Sequence, residues 1–167
     1  MRKSLPLALS LLFLAACSKN NENPNALNDQ DRIFLNKVYQ VNKTESEAGQ
    51  LALDKSTDGG LKNFAQSAIA TYSAAQKDLF ELVNKIGFRL DTNSVQTMSA
   101  SLNELSGHSF DMAYIQSRVS SHRQILGIYQ SELNEGNQTY VRYYYLNKYI
   151  DRIRLLFQQA DSLSRRM

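Results

Sequence analysis

Glu45, Tyr72 and His122 are the residues whose types and spacing could do chemistry together. Advancing ~100° per residue puts each near the middle of an apolar helical stripe. If the stripes converge, Tyr72 can donate to Glu45 or His122, and Glu45 can hold His122 protonated or fix its tautomer. The same set is a candidate weak metal or small-ligand site. One Glu and one His supply two ligands, whereas zinc takes three or four. A di-iron carboxylate centre needs a Glu from each of two helices and a Glu-x-x-His from each of two others. The chain has no Glu-x-x-His and only two histidines. We therefore expect a buried polar contact that fixes helix register, with a reduced metal site as the alternative.

A second reactive group is the single cysteine. Leu14-Ala15-Ala16-Cys17 follows a positive start, Met1-Arg2-Lys3, and a short apolar run from Leu5. That run is too short for a finished transmembrane helix, which needs ~20 apolar residues. It reads as an export signal over residues 1–16 that leaves Cys17 as a lipid-bearing N-terminus, acylated for instance with palmitate. Ser18, where Asp would signal retention, favours the outer membrane. With one cysteine no intrachain disulfide can form. Residues 17–28, Asn-rich and containing Pro24, read as the lipidated Cys and a flexible tether.

Other chemistries have little support. No Gly-x-Ser-x-Gly is present, and Gly59-Gly60 lacks the Lys-Ser/Thr of a phosphate loop. The formal charge of +3 includes Arg2 and Lys3. Without them the chain is nearly neutral, and no basic block marks a nucleic-acid partner. Asp111 is expected in the first turn of a helix capped by Ser109, where an acid suits the helix dipole. His108 is expected in the preceding loop. Tyr140, Tyr143, Tyr144, Tyr145 and Tyr149 crowd one segment. Three consecutive positions span ~200° of a helix, so some must face outwards. Tyr140, Tyr143, Tyr144 and Tyr145 are therefore a candidate surface for a glycan, an envelope protein or the membrane. Arg152, Arg154, Arg165 and Arg166 are candidate contacts for anionic headgroups.

The elements that must position these residues are helices. Period and caps predict Asp29–Ser56 with Asn28 and Asp31 as a capping box, and Gly60–Ile86 with Asp58 before it and Gly87 after it. A short helix follows over Val95–Leu105, closed by Gly107, and then long helices Phe110–Glu135 and Thr139–Ser164. The two prolines are Pro6 and Pro24, so none interrupts these helices. The reading is all-α: a ferritin-like four-helix bundle over residues 29–166, with a long crossover carrying the short helix. At ~1.5 Å per residue, that crossover places Glu45, Tyr72, His122 and Leu156 at ~24, ~21, ~20 and ~26 Å along the bundle. Without it, His122 and Leu156 fall to ~18 and ~12 Å.

Several segments carry a resemblance. They are Asn42-x-x-Glu45-x-x-x-Gly49-x-Leu51-Ala52, Lys62-x-Phe64-Ala65-Gln66, Leu105-Ser106-Gly107-x-x-Phe110-Asp111-x-x-Tyr114-Ile115, and His122. Over about Asp29 to Leu163 the chain resembles the ferritin-like domain-of-unknown-function 4142 family of bacterial predicted outer-membrane proteins. The resemblance implies a four-helix bundle in the cell envelope and no known activity. Relatives commonly carry an Asp-His pair in the second helix and another His in the last. Here Thr71-Tyr72 and Leu156 stand at those positions, so two inward histidines are missing. The expectation is a lipid-anchored envelope protein, structural or binding in role, not an enzyme and without cofactor beyond the lipid on Cys17. The alternative is a metal-dependent redox or stress protein.

Overall fold

The computed structural model describes residues 26–93 and 101–167. The export signal, Cys17, most of the tether and the first part of the predicted short helix lie outside the described residues. Among the described residues the chain is helical: α1 Asp29–Lys55, α2 Gly59–Ile86, α3 Ser101–Glu104, α4 Gly107–Glu135 and α5 Asn147–Ser164. A π-helical segment, Val141–Leu146, leads directly into α5.

Local chemistry starts and stops these helices. The Asn28 side chain accepts from the Asp31 N–H at 2.8 Å, while the Asp31 carboxylate accepts from the Asn28 N–H at 2.7 Å. Both are otherwise orphan donors of a helix start. Asp58 does the same for α2 through the Leu61 N–H at 2.8 Å. Gly87 ends α2 at φ 68°, a left-handed conformation that glycine adopts without steric strain.

α1 rises and α2 descends beside it. The chain leaves α2 at the end where it entered α1. It reappears as α3 at the far end, where the Lys55 ammonium donates to the carbonyls of Leu102 (3.3 Å) and Asn103 (2.6 Å). From there α4 descends parallel to α2, and α5 rises. One connection therefore runs from one end of the bundle to the other, so that α4 is parallel to α2. α1 packs against α2 and α4, and α5 closes against the same two helices. The close approach of α1 to α2 depends on small residues. A Cβ on Gly49 would lie 2.6 Å from Ile69 Cγ1 and 3.1 Å from the Ala65 carbonyl oxygen. Ala48 and Ala52 on α1, with Ala65 and Ala68 on α2, are buried in that seam.

Two corrections concern α4. Its N-cap is Ser106, not Ser109, and Gly107 at φ 55° opens the helix instead of closing the previous one. His108 is exposed but lies within the helix, not in a preceding loop. Asp111 lies beyond the first turn and is buried, with Oδ1 unpartnered, so it is not a dipole-matching acid at a helix start. The core stripe of α4 is also rotated from the one its period predicts, Ile115, Val119, His122, Leu126, Tyr129 and Leu133. Val119, Leu126 and Leu133 are half-buried flanks, while Arg118, His122, Ile125, Tyr129 and Glu132 face inwards. Hydrophobicity alone puts Arg118 and Glu132 outside. Each is buried because α1 offers it a partner, Glu45 and Asp31 respectively.

Candidate functional site

The crossover brings the predicted set to one level. Glu45 enters from α1, Tyr72 from α2, and His122 from α4. His122 Nδ1 lies 4.0 Å from Glu45 Oε2, and the Tyr72 and His122 rings are 5.8 Å apart between centroids. All three are buried. Phe64 meets the imidazole edge-on at 5.9 Å.

Arg118 and Ser121, which sequence reasoning missed, complete the set. Arg118 NH1 donates to Glu45 Oε1 at 2.7 Å, and the Ser121 hydroxyl donates to the same oxygen at 2.6 Å. Both stand about one turn or less from His122, so the spacing Arg118-x-x-Ser121-His122 was the available signal. The guanidinium also lies 5.7 Å over the Tyr114 ring. A groove of about 420 Å³ between α1 and α4 reaches this layer, lined by Glu45 and Ser121, with Lys37, Thr44 and Gln124 around it.

The electrostatics of His122 depart from the sequence reading. Its Nδ1 lies 2.8 Å from the Arg118 carbonyl oxygen. A carbonyl only accepts, so Nδ1 carries the proton and Nε2 is the bare acceptor. Burial pushes the imidazole below its ordinary value, outweighing the nearby Glu45 carboxylate. Glu45 therefore neither holds His122 protonated nor sets its tautomer; the Arg118 carbonyl sets it. Burial likewise pushes the Tyr72 phenol well up, so its O–H remains a donor. Tyr72 Oη, His122 Nε2 and Glu45 Oε2 have no hydrogen-bond partner among the described residues.

A neutral buried imidazole makes a definite prediction. Its contribution to stability is present above pH ~6.5 and is lost as pH falls through the lowered folded value. Thermal melts between pH 7 and pH 5 should show His122→Asn losing less stability than the unsubstituted chain. An identical acid response in the two proteins would show that His122 is not the group being protonated.

A family model described as a domain of unknown function (DUF4142) matches residues 16–163. The chain belongs to this family. No curated protein and no solved structure matches it.

In this DUF4142 protein the donor set does not fit a metal centre. Glu45 Oε1 already accepts from a guanidinium and a hydroxyl. The imidazole nitrogen 4.0 Å from Glu45 is the protonated one. Among the described residues no three His, Cys, Asp or Glu side chains come together as a metal site. Arg118 puts a fixed positive charge beside the carboxylate that a cation would need.

The tyrosine cluster divides. Tyr143 and Tyr144 are 65% and 60% exposed, and Tyr140 is 36% exposed. Tyr145 is a correction: it is fully buried, accepts from Asn42 Nδ2 at 2.7 Å, and belongs to the core. Tyr149 is buried and donates to Asp78 at 2.6 Å. The π-helical turn explains the division. Hydrogen bonds that close over five residues, not four, bring Val141 and Leu146 onto one inward face with Tyr145. Tyr143 and Tyr144 are left outside. Arg165 and Arg166 sit at the far end of the bundle from Asn28, and Arg165 pairs with Asp161 at 2.9 Å.

Proposed function

We propose that this protein is a lipid-anchored component of the bacterial cell envelope, with the outer membrane favoured, whose bundle serves as a structural or binding module. Two features support the reading. The Leu14-Ala15-Ala16-Cys17 motif and the polar tether after it support an anchor at Cys17. The observation that carries the non-enzymatic part is the middle layer: Arg118 and Ser121 of α4 are bonded to Glu45 of α1, while His122 donates to the Arg118 carbonyl within α4. The bonds that Glu45 Oε1 accepts from Arg118 and Ser121 hold α1 and α4 in register, which is how buried polar contacts specify one packing. The same bonds count against a metal-dependent redox role. What remains offered to a partner is the exposed tyrosine surface.

The test of the anchor is direct. Full-length protein extracted from a bacterial envelope should begin at Cys17 by intact mass, carry acyl groups and sediment with membranes. Cys17→Ser should lose the acyl mass and the membrane retention together. Unmodified Cys17 in envelope-associated protein would overturn the proposal.

A further inference from the structure

Six large apolar side chains are exposed among the described residues: Ile33, Phe80, Tyr140, Tyr143, Tyr144 and Leu155. Their positions along the bundle are not scattered. At ~1.5 Å per residue, Ile33 lies ~6 Å from the start of α1, and Phe80 lies ~9 Å from the end of α2. The three tyrosines lie within ~8 Å of Thr139, where helical backbone resumes after α4. Leu155 alone is higher, at ~24 Å. All but one of these side chains thus crowd the bottom quarter of a rod ~40 Å long.

The bottom is where the tether enters. Asn28 Nδ2 donates to the Glu135 carbonyl at 2.7 Å, and Asn137 Nδ2 donates to the Ala26 carbonyl at 3.2 Å. The N-terminal segment is therefore held against the α4–α5 connection, a few residues from Tyr140. Nine residue steps lead from Cys17 to Ala26, which at ~3.3–3.6 Å each reach at most ~32 Å. A bilayer holding Cys17 lies within that reach of Ala26, at the same end as the exposed rings.

We infer that the tether end of the bundle, ringed by Ile33, Phe80, Tyr140, Tyr143 and Tyr144, docks on the lipid headgroup surface. This rests on the anchoring reading above. Tyrosine is the right side chain for that depth, with an apolar ring and a polar tip. Lys85 lies over Tyr140 at 4.3 Å and over Tyr144 at 4.7 Å, an ammonium on an apolar stem beside the rings. A short tether makes the docking intramolecular, so weak contacts suffice. Charge is not the driver: exposed Arg32, Lys85 and Arg89 are offset at that end by Asp29, Glu81 and Glu135. The docking should therefore resist salt, unlike attraction to anionic lipid.

The chain has no tryptophan, so one introduced indole reports its own depth. Y143W, Y144W and L155W would be made in the full chain, purified as processed by the cell, and checked for acylation by intact mass. Each would be placed in phosphatidylcholine–phosphatidylglycerol vesicles with and without dibromo-phosphatidylcholine. The expected result is a blue shift and strong quenching at 143 and 144, none at 155, and no change on adding salt. Acylated protein with equal, weak quenching at all three sites would overturn the docking and leave the anchor standing. Unacylated protein would overturn the anchor; docking would fall with it if the indole of Y143W stayed unquenched, and would stand if quenching persisted. Blue-shifted emission from Y143W without vesicles, together with a dimeric mass, would also overturn the inference by assigning the surface to a second copy.

Discussion

Replacing Arg118 by alanine is expected to destabilise the bundle by about 3–5 kcal/mol, the range for removing one partner of a buried ion pair. The side chains of Glu45 and Arg118 are only 2% and 8% exposed, and they meet at 2.7 Å. Without the guanidinium, the Glu45 carboxylate stays buried with the Ser121 hydroxyl as its remaining donor. It must then take up a proton or open the α1–α4 seam. For a domain of this size the melting temperature should fall by roughly 10 °C or more. The informative control is the double variant Glu45→Leu/Arg118→Leu, which removes both charges. Buried pairs replaced by packed apolar side chains are often neutral or stabilising. The double variant should therefore recover most of the single variant's loss. Thermal melts of the three proteins check this. An unchanged melting temperature in Arg118→Ala would mean that the pair is not held closed in solution. If both variants lose stability equally, the loss comes from packing, not from an abandoned charge.

The same residues show what the amino-acid sequence makes legible. Helix limits for α1 and α2 are spelled out by local chemistry, because Asn28, Asp31, Asp58 and Gly87 each act within four residues of where they stand. The buried level of Glu45, Tyr72 and His122 is also legible, since a helix has a fixed rise and the crossover fixes its direction. Arg118 and Glu132 were not legible. Their burial is decided by carboxylates on α1, more than 70 residues earlier for Arg118 and about 100 for Glu132. Periodicity sees one helix at a time, and it assigns a charged residue to water unless its partner is known. Tyr145 failed for a related reason. An ideal ~3.6-residue turn keeps Tyr145 beside Val141 but swings Leu146 ~140° away from Val141, whereas a π turn brings all three inwards, and nothing in three consecutive tyrosines announces that extra residue. The metal alternative turns on the same kind of distant partner. Counting ligands gave two, but only the bonded geometry reveals that a cation's place beside Glu45 is taken by Arg118.

Glu132 should make this protein lose stability from mildly acidic to mildly alkaline pH, opposite to the usual behaviour of a buried carboxylate in an ion pair. Asp31 is fully buried, and its carboxylate accepts from the backbone N–H groups of Asn28 (2.7 Å), Asn137 (3.1 Å) and Gln138 (3.0 Å). It ties the start of α1 to the α4–α5 connection. Glu132, 1% exposed, faces it from α4. Burial pushes the Glu132 carboxyl up to about 8, helped by hydrogen bonding to Asp31 and by that residue's charge, and opposed by Gln30 and Arg142. Arg142 is partly committed elsewhere, donating to the carbonyls of Leu133 (2.9 Å) and Gly136 (3.1 Å). Because Asp31 already accepts from three backbone N–H groups, Glu132 is the member placed to hold a proton and donate it. The sign follows. Below the unfolded value of 4.5 both states hold the proton, and as pH rises towards 8 the unfolded chain loses it first. Stability therefore declines across that window, by on the order of 5 kcal/mol. Glu132→Gln keeps a donor for Asp31 and removes the ionisation. Any protonation of His122 is common to both proteins, so the difference between them isolates Glu132. Denaturant unfolding should give nearly equal stabilities at pH 5, an advantage for Glu132→Gln that widens up to pH 8, and a constant gap from there to pH 9. Parallel curves for the two proteins would show that Glu132 ionises normally and that Asp31 stands alone at this end of the bundle.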